Sequence, residues 1–228
     1  MEKRVAFFDI DGTVFRSSLL VELIEHLIEA EVFPIAARAE YLQSYTAWLN
    51  REGTYETYID TIVKTFYKHI KGVQYSDFIK VGQLVVDAQS KQVYRYTRDL
   101  IIKLKKQNYY VVAISQSPKG ILDPFCESHG FDKVYGRLYE LGPDDTFTGE
   151  VIDLHLIENK ANIIKRVLEN EEFTKDGSVA VGDTEGDITM FDSVSQPICF
   201  NPNKALYMHA QRMGWKVVIE RKDMIYEL

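Results

Sequence analysis

Five short apolar runs restrict what this 228-residue chain can fold into more than any other feature. They occupy residues 5–8, 109–114, 178–181, 197–200 and 216–219. A continuous apolar run of this length suits a strand covered on both faces, as in the middle of a parallel sheet. Helical patterns separate most of them: Ile163, Ile164, Val167 and Leu168 mark one helix, and Leu206, Met208 and Met213 another, with Gly214 placed to end it. Strands alternating with helices predict an α/β fold with a mainly parallel sheet.

Two stretches break the alternation. Residues 135–152 hold Gly136, Gly142-Pro143-Asp144-Asp145 and Gly149 between β-prone residues, which predicts an antiparallel hairpin. Residues 15–90 offer no strand but four amphipathic segments, at 19–30, 35–49, 55–70 and 78–88. This predicts an α/β core of residues 1–14 and 91–228, interrupted by a helical cap of residues 15–90 above the end of the first strand.

The first strand runs directly into Asp9-Ile10-Asp11-Gly12-Thr13. Ligands of open α/β sheets bind beyond the C-terminal ends of the strands. Two aspartates one residue apart at such an end can reach a common ligand, and Gly12 permits the turn that brings them together. Their mutual repulsion is costly unless a cation or a shared proton offsets it. The run ending at Val181 leads into a second acidic loop, Gly182-Asp183-Thr184-Glu185-Gly186-Asp187. Carboxylates converging from two strand ends suit a hard, oxygen-ligated cation, Mg²⁺ by default. Asp187 is also placed to cap a helix running to Val194. Ser115, with the backbone N–H groups of Gln116 and the residues after it, follows the strand at 109–114 and could receive phosphate oxygens. Lys160 begins a helix leading toward the second acidic strand, where an ammonium could offset phosphate charge.

Composition excludes other classes. With 27 basic and 34 acidic residues the net charge is −7, which argues against a nucleic-acid or anionic-membrane surface. Cys126 and Cys199 match no metal or redox spacing and sit among apolar neighbours, as buried free thiols do. No segment is long and apolar enough for a signal or a membrane span. A soluble cytoplasmic protein is expected.

Taken in order, Asp-x-Asp-Gly-Thr at 9–13, Ser115, Lys160 and Gly-Asp-x-x-x-Asp at 182–187 resemble the haloacid dehalogenase-like hydrolase superfamily over essentially the whole chain. The helical interval resembles the cap of its phosphoserine-phosphatase-like branch, and Phe147-Thr148-Gly149-Glu150-Val151 the hairpin before that branch's lysine. The resemblance implies a Rossmann-like core and a Mg²⁺-dependent phosphatase acting on a small phosphomonoester, as a monomer or homodimer. Asp9 would be the nucleophile, giving an aspartyl-phosphate, and Asp11 the acid and then base. Mg²⁺ would be held by Asp9, the backbone carbonyl of Asp11 and Asp183, with Asp187 in support. Ser115, Gln116 and Lys160 would bind the phosphate.

The aspartate at position 11 favours phosphoryl chemistry, because dehalogenases of the superfamily need no acid there. Pump-type relatives are excluded for want of a membrane span. Phosphoserine phosphatases carry a glutamate where this chain has Ser18, and two glycines where it has Gln116-Ser117. Both changes point away from phosphoserine. Phe15, Arg16 and Ser18 are placed to touch the substrate. The aromatic residues of the cap (Tyr41, Tyr45, Trp48, Tyr55, Tyr58, Phe66 and Tyr67) read as its core in preference to an aromatic box for a quaternary ammonium. A phosphotransferase or mutase using the same aspartyl-phosphate, or a phosphate- or Mg²⁺-responsive binding module without turnover, stays open as an alternative.

Overall fold

In the computed structural model, which describes residues 3–170 and 172–228, the chain forms one sheet of eight strands. Residues 1, 2 and 171 of the expected core lie outside the described residues. The strands are β1 (Lys3–Phe8), β2 (Tyr110–Pro118), β3 (Lys133–Leu141), β4 (Phe147–Ile152), β5 (Phe173–Gly182), β6 (Gln196–Phe200), β7 (Lys216–Arg221) and β8 (Met224–Glu227). Across the sheet they lie in the order β4-β3-β2-β1-β5-β6-β7-β8. The six central strands are parallel, and the outer pairs β3–β4 and β7–β8 are antiparallel. From β1 the chain moves outward through β2 and β3, then returns to place β5 on the other flank of β1. The strand order therefore reverses at β1, the place where α/β sheets open a crevice for ligand.

Five helices separate β1 from β2, and the first four fill the expected cap interval: α1 (Leu19–Glu29), α2 (Ala37–Leu49), α3 (Tyr55–Ile70) and α4 (Tyr75–Gln89). Then come α5 (Arg95–Lys106), α6 (Lys119–Ser128), α7 (Leu154–Glu158), α8 (Lys160–Leu168), α9 (Ile188–Phe191) and α10 (Lys204–Met213). Alternating residues of the strands feed two apolar layers. Ala6, Phe8, Val111, Ala113 and Val181 face α1 to α6, whereas Val5, Phe7, Val112, Ile114 and Ala180 face α7 to α10. This is the expected α/β architecture with a mainly parallel sheet.

The first layer is continuous with the interior of α1 to α4. Tyr58, Ile62, Phe66 and Ile70 bury one stripe of α3 at a four-residue spacing. Phe66 meets Phe78 of α4 edge-on at 6.4 Å, and Phe78 meets Phe147 of β4 at 5.1 Å. Phe15, fully buried, packs at 5.5 Å on Phe125 of α6. The chain leaves and rejoins the sheet layer at one place: the Arg16 N–H donates to the Gln92 carbonyl at 2.9 Å, and the Tyr94 N–H to the Val14 carbonyl at 3.0 Å.

Several details differ from the sequence reading. β2 continues past Ile114 to Pro118, with a shift in its register against β3 between those residues. β3 first pairs in parallel with β2 (Val112↔Lys133 to Ile114↔Tyr135) and only then turns into the hairpin with β4. The expected helix from Asp187 to Val194 is a tight turn at Glu185–Asp187 followed by a single turn of α9. β8 is a further strand that the sequence reading did not include: it is four residues long and turns only Ile225 toward the core.

Candidate active site

β1 and β5 are neighbours, so their acidic loops emerge side by side; the Asp9 N–H donates to the Val181 carbonyl at 2.9 Å. Gly12, at φ +80°, turns the first loop, and a Cβ there would meet Asp183 Oδ2 at 2.3 Å. Gly182 has the same duty in the second loop, where a Cβ would lie 2.4 Å from Asp187 Oδ2. Both glycines are required by close approach to a carboxylate, the first also by its backbone conformation.

Carboxylate oxygens of Asp9, Asp183 and Asp187 lie within 4.8 Å of one another. The Lys160 ammonium donates to Asp9 Oδ1 at 2.6 Å and to Asp187 Oδ1 at 2.5 Å. Asp187 Oδ2 accepts from the N–H groups of Asp183 and Thr184 at 3.0 and 3.2 Å. Both oxygens of Asp187 are thus committed, and its role is to hold the loop and Lys160. Thr184 caps the turn at Glu185–Asp187, with Asp187 completing a reciprocal capping box, and Asp187 holds the N-cap position of α9 without a side-chain capping bond. Asp9 Oδ2, by contrast, is buried with no partner among the described residues. The Thr13 hydroxyl donates to Asp183 Oδ1 at 3.3 Å.

Burial dominates the electrostatics. It raises the pKa of Asp9 to about 7; Lys160 opposes this, while Asp187 and Asp11 reinforce it. Burial likewise pushes Asp183 well above the carboxylate range, with Asp9 and Asp187 adding repulsion. For Lys160 burial disfavours the ammonium, but Asp187 and Asp9 outweigh it and hold its pKa above the usual value. A divalent cation fits this donor set: hard oxygens, crowded negative charge and an unpartnered oxygen on Asp9.

Asp11 turns away from that cluster. Its Oδ2 accepts from the hydroxyls of Ser115 at 2.5 Å and Ser117 at 2.8 Å, and its Oδ1 from the Leu19 N–H at 2.6 Å. Its carboxylate is therefore absent from the metal-type cluster, and only its backbone carbonyl remains for the metal role assigned to it. Ser115 is fully buried, and its oxygen also accepts from the Ser117 N–H at 2.9 Å. Both serines fall in the stretch between Ile114 and Pro118 where the register of β2 against β3 shifts.

A cavity of about 440 Å³ opens over these groups. Asp9, Asp11, Gln116, Lys160 and Asp183 form its floor, Ser18 and Leu20 one side, and Tyr55, Glu56, Ile59, Asp60 and Val63 of α3 its roof. Ser18, 6% exposed, lines it as expected. Phe15 does not: it is buried in the apolar layer against Phe125, so it cannot touch a substrate. Arg16 lines an adjoining cavity of about 640 Å³ that shares Tyr55 and Asp183 with the first, its guanidinium 5.6 Å from the Tyr94 ring centre. Tyr41, Tyr45, Trp48, Tyr55 and Tyr58 border that second cavity while packing on each other; Trp48 and Tyr58 are stacked at 5.7 Å.

Arg137 in the cavity wall was missed by the sequence reading. A lone arginine carries no motif. Alternation along β3 would not have found it, because the strand shifts register before Arg137: Tyr135 packs with the layer of α7 to α10 and Tyr139 with that of α1 to α6.

The haloacid dehalogenase-like hydrolase profile matches residues 6–192. A protein of Streptomyces azureus, named for inhibition of morphological differentiation, is 24% identical over 227 residues, spanning 96% of this chain and 79% of its own. A solved Bordetella pertussis Tohama I protein of unknown function superposes with a TM-score of 0.74 at 16% identity, covering 96% of this chain and 99% of that one. A phospho-aspartyl intermediate analogue of phosphoserine phosphatase superposes with a TM-score of 0.62 at 22% identity, covering 98% and 96%.

Proposed function

This chain belongs to the haloacid dehalogenase-like hydrolases, and on that premise we propose that it is a Mg²⁺-dependent phosphatase that hydrolyses a small soluble phosphomonoester through phosphorylated Asp9. The observation that carries this reading is the contrast between two carboxylates one residue apart. Asp9 keeps a buried, unpartnered oxygen beside Lys160 and Asp183, whereas Asp11 is fixed by three donors on the opposite side. One is free to form a bond, and the other is aimed to move a proton.

In this reading Asp9 Oδ2 attacks phosphorus while the bond from phosphorus to the substrate oxygen breaks. Asp11 gives its proton to that departing oxygen, then takes one from the water that cleaves the aspartyl-phosphate. Lys160 keeps the Asp9 carboxylate in place and offsets charge on the transferring group. Ser115 and Gln116 bind phosphate oxygens, Ser115 exchanging its bond with Asp11 for one with substrate. Asp9, Asp183 and the Asp11 backbone carbonyl would hold Mg²⁺, with Asp187 steadying the loop. Bound there, Mg²⁺ would let an anionic nucleophile meet an anionic phosphate and stabilise the charge that develops.

Residues 15–90 serve as the cap of this site. The paired exit and return at Arg16–Gln92 and Val14–Tyr94 support those limits, as does the position of α3 over the cavity. Ser18 is the one residue of the expected specificity set that the cavity retains. Cytoplasmic residence is supported by Cys126 and Cys199, both buried free thiols. No helix among the described residues is long and apolar enough to cross a membrane.

The test is a panel of phosphorylated metabolites assayed with and without Mg²⁺, for the wild type and Asp9→Asn. Phosphate release that needs the metal and disappears in the variant is expected; metal-independent release that survives in Asp9→Asn would overturn the reading. Labelled solvent oxygen in the released phosphate separates hydrolysis from transfer to an alcohol.

A further inference from the structure

The cavity holds one cation whose charge is unanswered. Lys160 touches two carboxylates, but Arg137 meets only neutral partners among the described residues: its Nη1 donates to the Tyr67 hydroxyl and its Nη2 to the Gln116 side-chain oxygen, each at 2.8 Å. Arg137 is 8% exposed, and its Nε–H is buried with no acceptor. A guanidinium cannot relieve this by losing its proton, and burying it without an anion is unfavourable. Asp9, Asp11, Glu56 and Asp60 line the same cavity, yet none is ion-paired with it.

The backbone aims this side chain. Arg137 pairs with Pro118 at the end of β2, and Gly136 lets β3 lie so close to α6 that a Cβ would meet Leu122 Cδ1 at 2.6 Å. Tyr67, on α3, and Gln116, on β2, then hold the guanidinium from two sides. With one bond on each terminal nitrogen, the guanidinium keeps further N–H donors there for an oxyanion, while its Nε–H stays buried without an acceptor.

We propose that Arg137 receives a second anionic group, a carboxylate or another phosphate, carried by the alcohol part of the substrate. β2 separates β3 from β1, so Arg137 springs from a strand about 10 Å, two strand spacings, from the one that carries Asp9. Lys160 is already beside Asp9, where the phosphoryl group would sit, which leaves Arg137, in the same cavity, for another part of the substrate. This inference rests on the phosphomonoesterase reading and narrows its substrate to a doubly anionic ester.

The test compares glycerol phosphate, phosphoglycerate and propanediol bisphosphate, with p-nitrophenyl phosphate as a reporter, on the wild type, Arg137→Gln and Arg137→Lys. The wild type should prefer one of the doubly anionic esters, and which one identifies the group as carboxylate or phosphate. Arg137→Gln should lose about 100-fold in kcat/KM on that ester, mainly through KM, and Arg137→Lys should recover part of it. Turnover of the reporter should fall several-fold less than that of the preferred ester, the remaining loss reflecting the bond from Arg137 to Gln116. Equal losses on every substrate would overturn the proposal, because Arg137 would then serve the transferring phosphate or the fold. Binding of the same esters to Asp9→Asn, by calorimetry, separates the two readings. If the wild type turns over none of them, the phosphatase reading fails, while equal affinity for singly and doubly anionic esters overturns the role of Arg137.

Discussion

At Gly182 an added methyl group would lie 2.4 Å from Asp187 Oδ2, the oxygen that accepts from Asp183 and Thr184. Gly182→Ala must therefore displace Asp187, and with it one of the two carboxylates that hold Lys160. A residue that steadies metal ligands without binding the metal commonly contributes about 10–100-fold in affinity or activity. Gly182→Ala should raise the Mg²⁺ concentration for half-maximal activity by about that factor, read from a metal titration at fixed substrate. An unchanged titration would mean that Asp187 does not support the site. The acidic residues were legible from the sequence because each stands where an apolar run ends. Arg137 was not, because its isolation from any carboxylate is a property of three-dimensional packing. Phe15 misled for a related reason: nearness in sequence to Asp11 says nothing about the side of the loop that a side chain takes.

Among the elements, α3 has most to do with the cavity, since Tyr55, Glu56, Ile59, Asp60 and Val63 all face it. Its first turn is fixed by Thr54, whose hydroxyl accepts from the Thr57 N–H at 3.1 Å. Thr54→Ala should cost about 1 kcal/mol, measured by urea unfolding. Phe78 of α4, 2% exposed between Phe66 and Phe147, joins α4 to the sheet layer. Phe78→Ala should cost about 3–5 kcal/mol in one cooperative transition, because the helices and sheet share an apolar layer. A separate early transition confined to the helices would contradict that shared core. The helices α1, α3 and α4 were legible because their apolar stripes repeat every three to four residues, whereas α2 buries only Ala37 and Tyr41 and leaves Leu42, Tyr45 and Leu49 exposed. The start of α4 at Tyr75 was less so, since its opening turn is exposed and polar. β8 and the parallel half of β3 escaped because edge pairing depends on a neighbour, not on a local pattern.

For the whole molecule, the crowded aspartates predict a stability that depends on pH, and the proposed Mg²⁺ site one that depends on metal as well. The folded state holds the Asp9 proton more tightly than the unfolded chain, with a pKa of about 7 against an ordinary 3.8. Its contribution is fully present below about pH 4 and is lost as pH rises through 7. In a chelator, Asp9→Asn should therefore gain in Tm over the wild type as pH goes from 5 to 8. Added Mg²⁺ should reverse the gap at pH 8 by stabilising the wild type. A difference in Tm that stays constant across this range would show that Asp9 is not held protonated in the metal-free protein.

The placing of β1 between β2 and β5 has a further consequence for how the protein is made. During synthesis β1 leaves the ribosome first, but the strand that completes its second edge begins at Phe173. At roughly 10 residues per second, β1 waits on the order of 10 s with the N–H and C=O groups of one edge unpaired. Over that interval Asp9 and Asp11 exist without Lys160, Asp183 or Asp187, so the nascent chain carries the first acidic loop long before it can hold a cation there. The helices that emerge in between are the segments available to shelter the apolar face of β1 until β5 arrives.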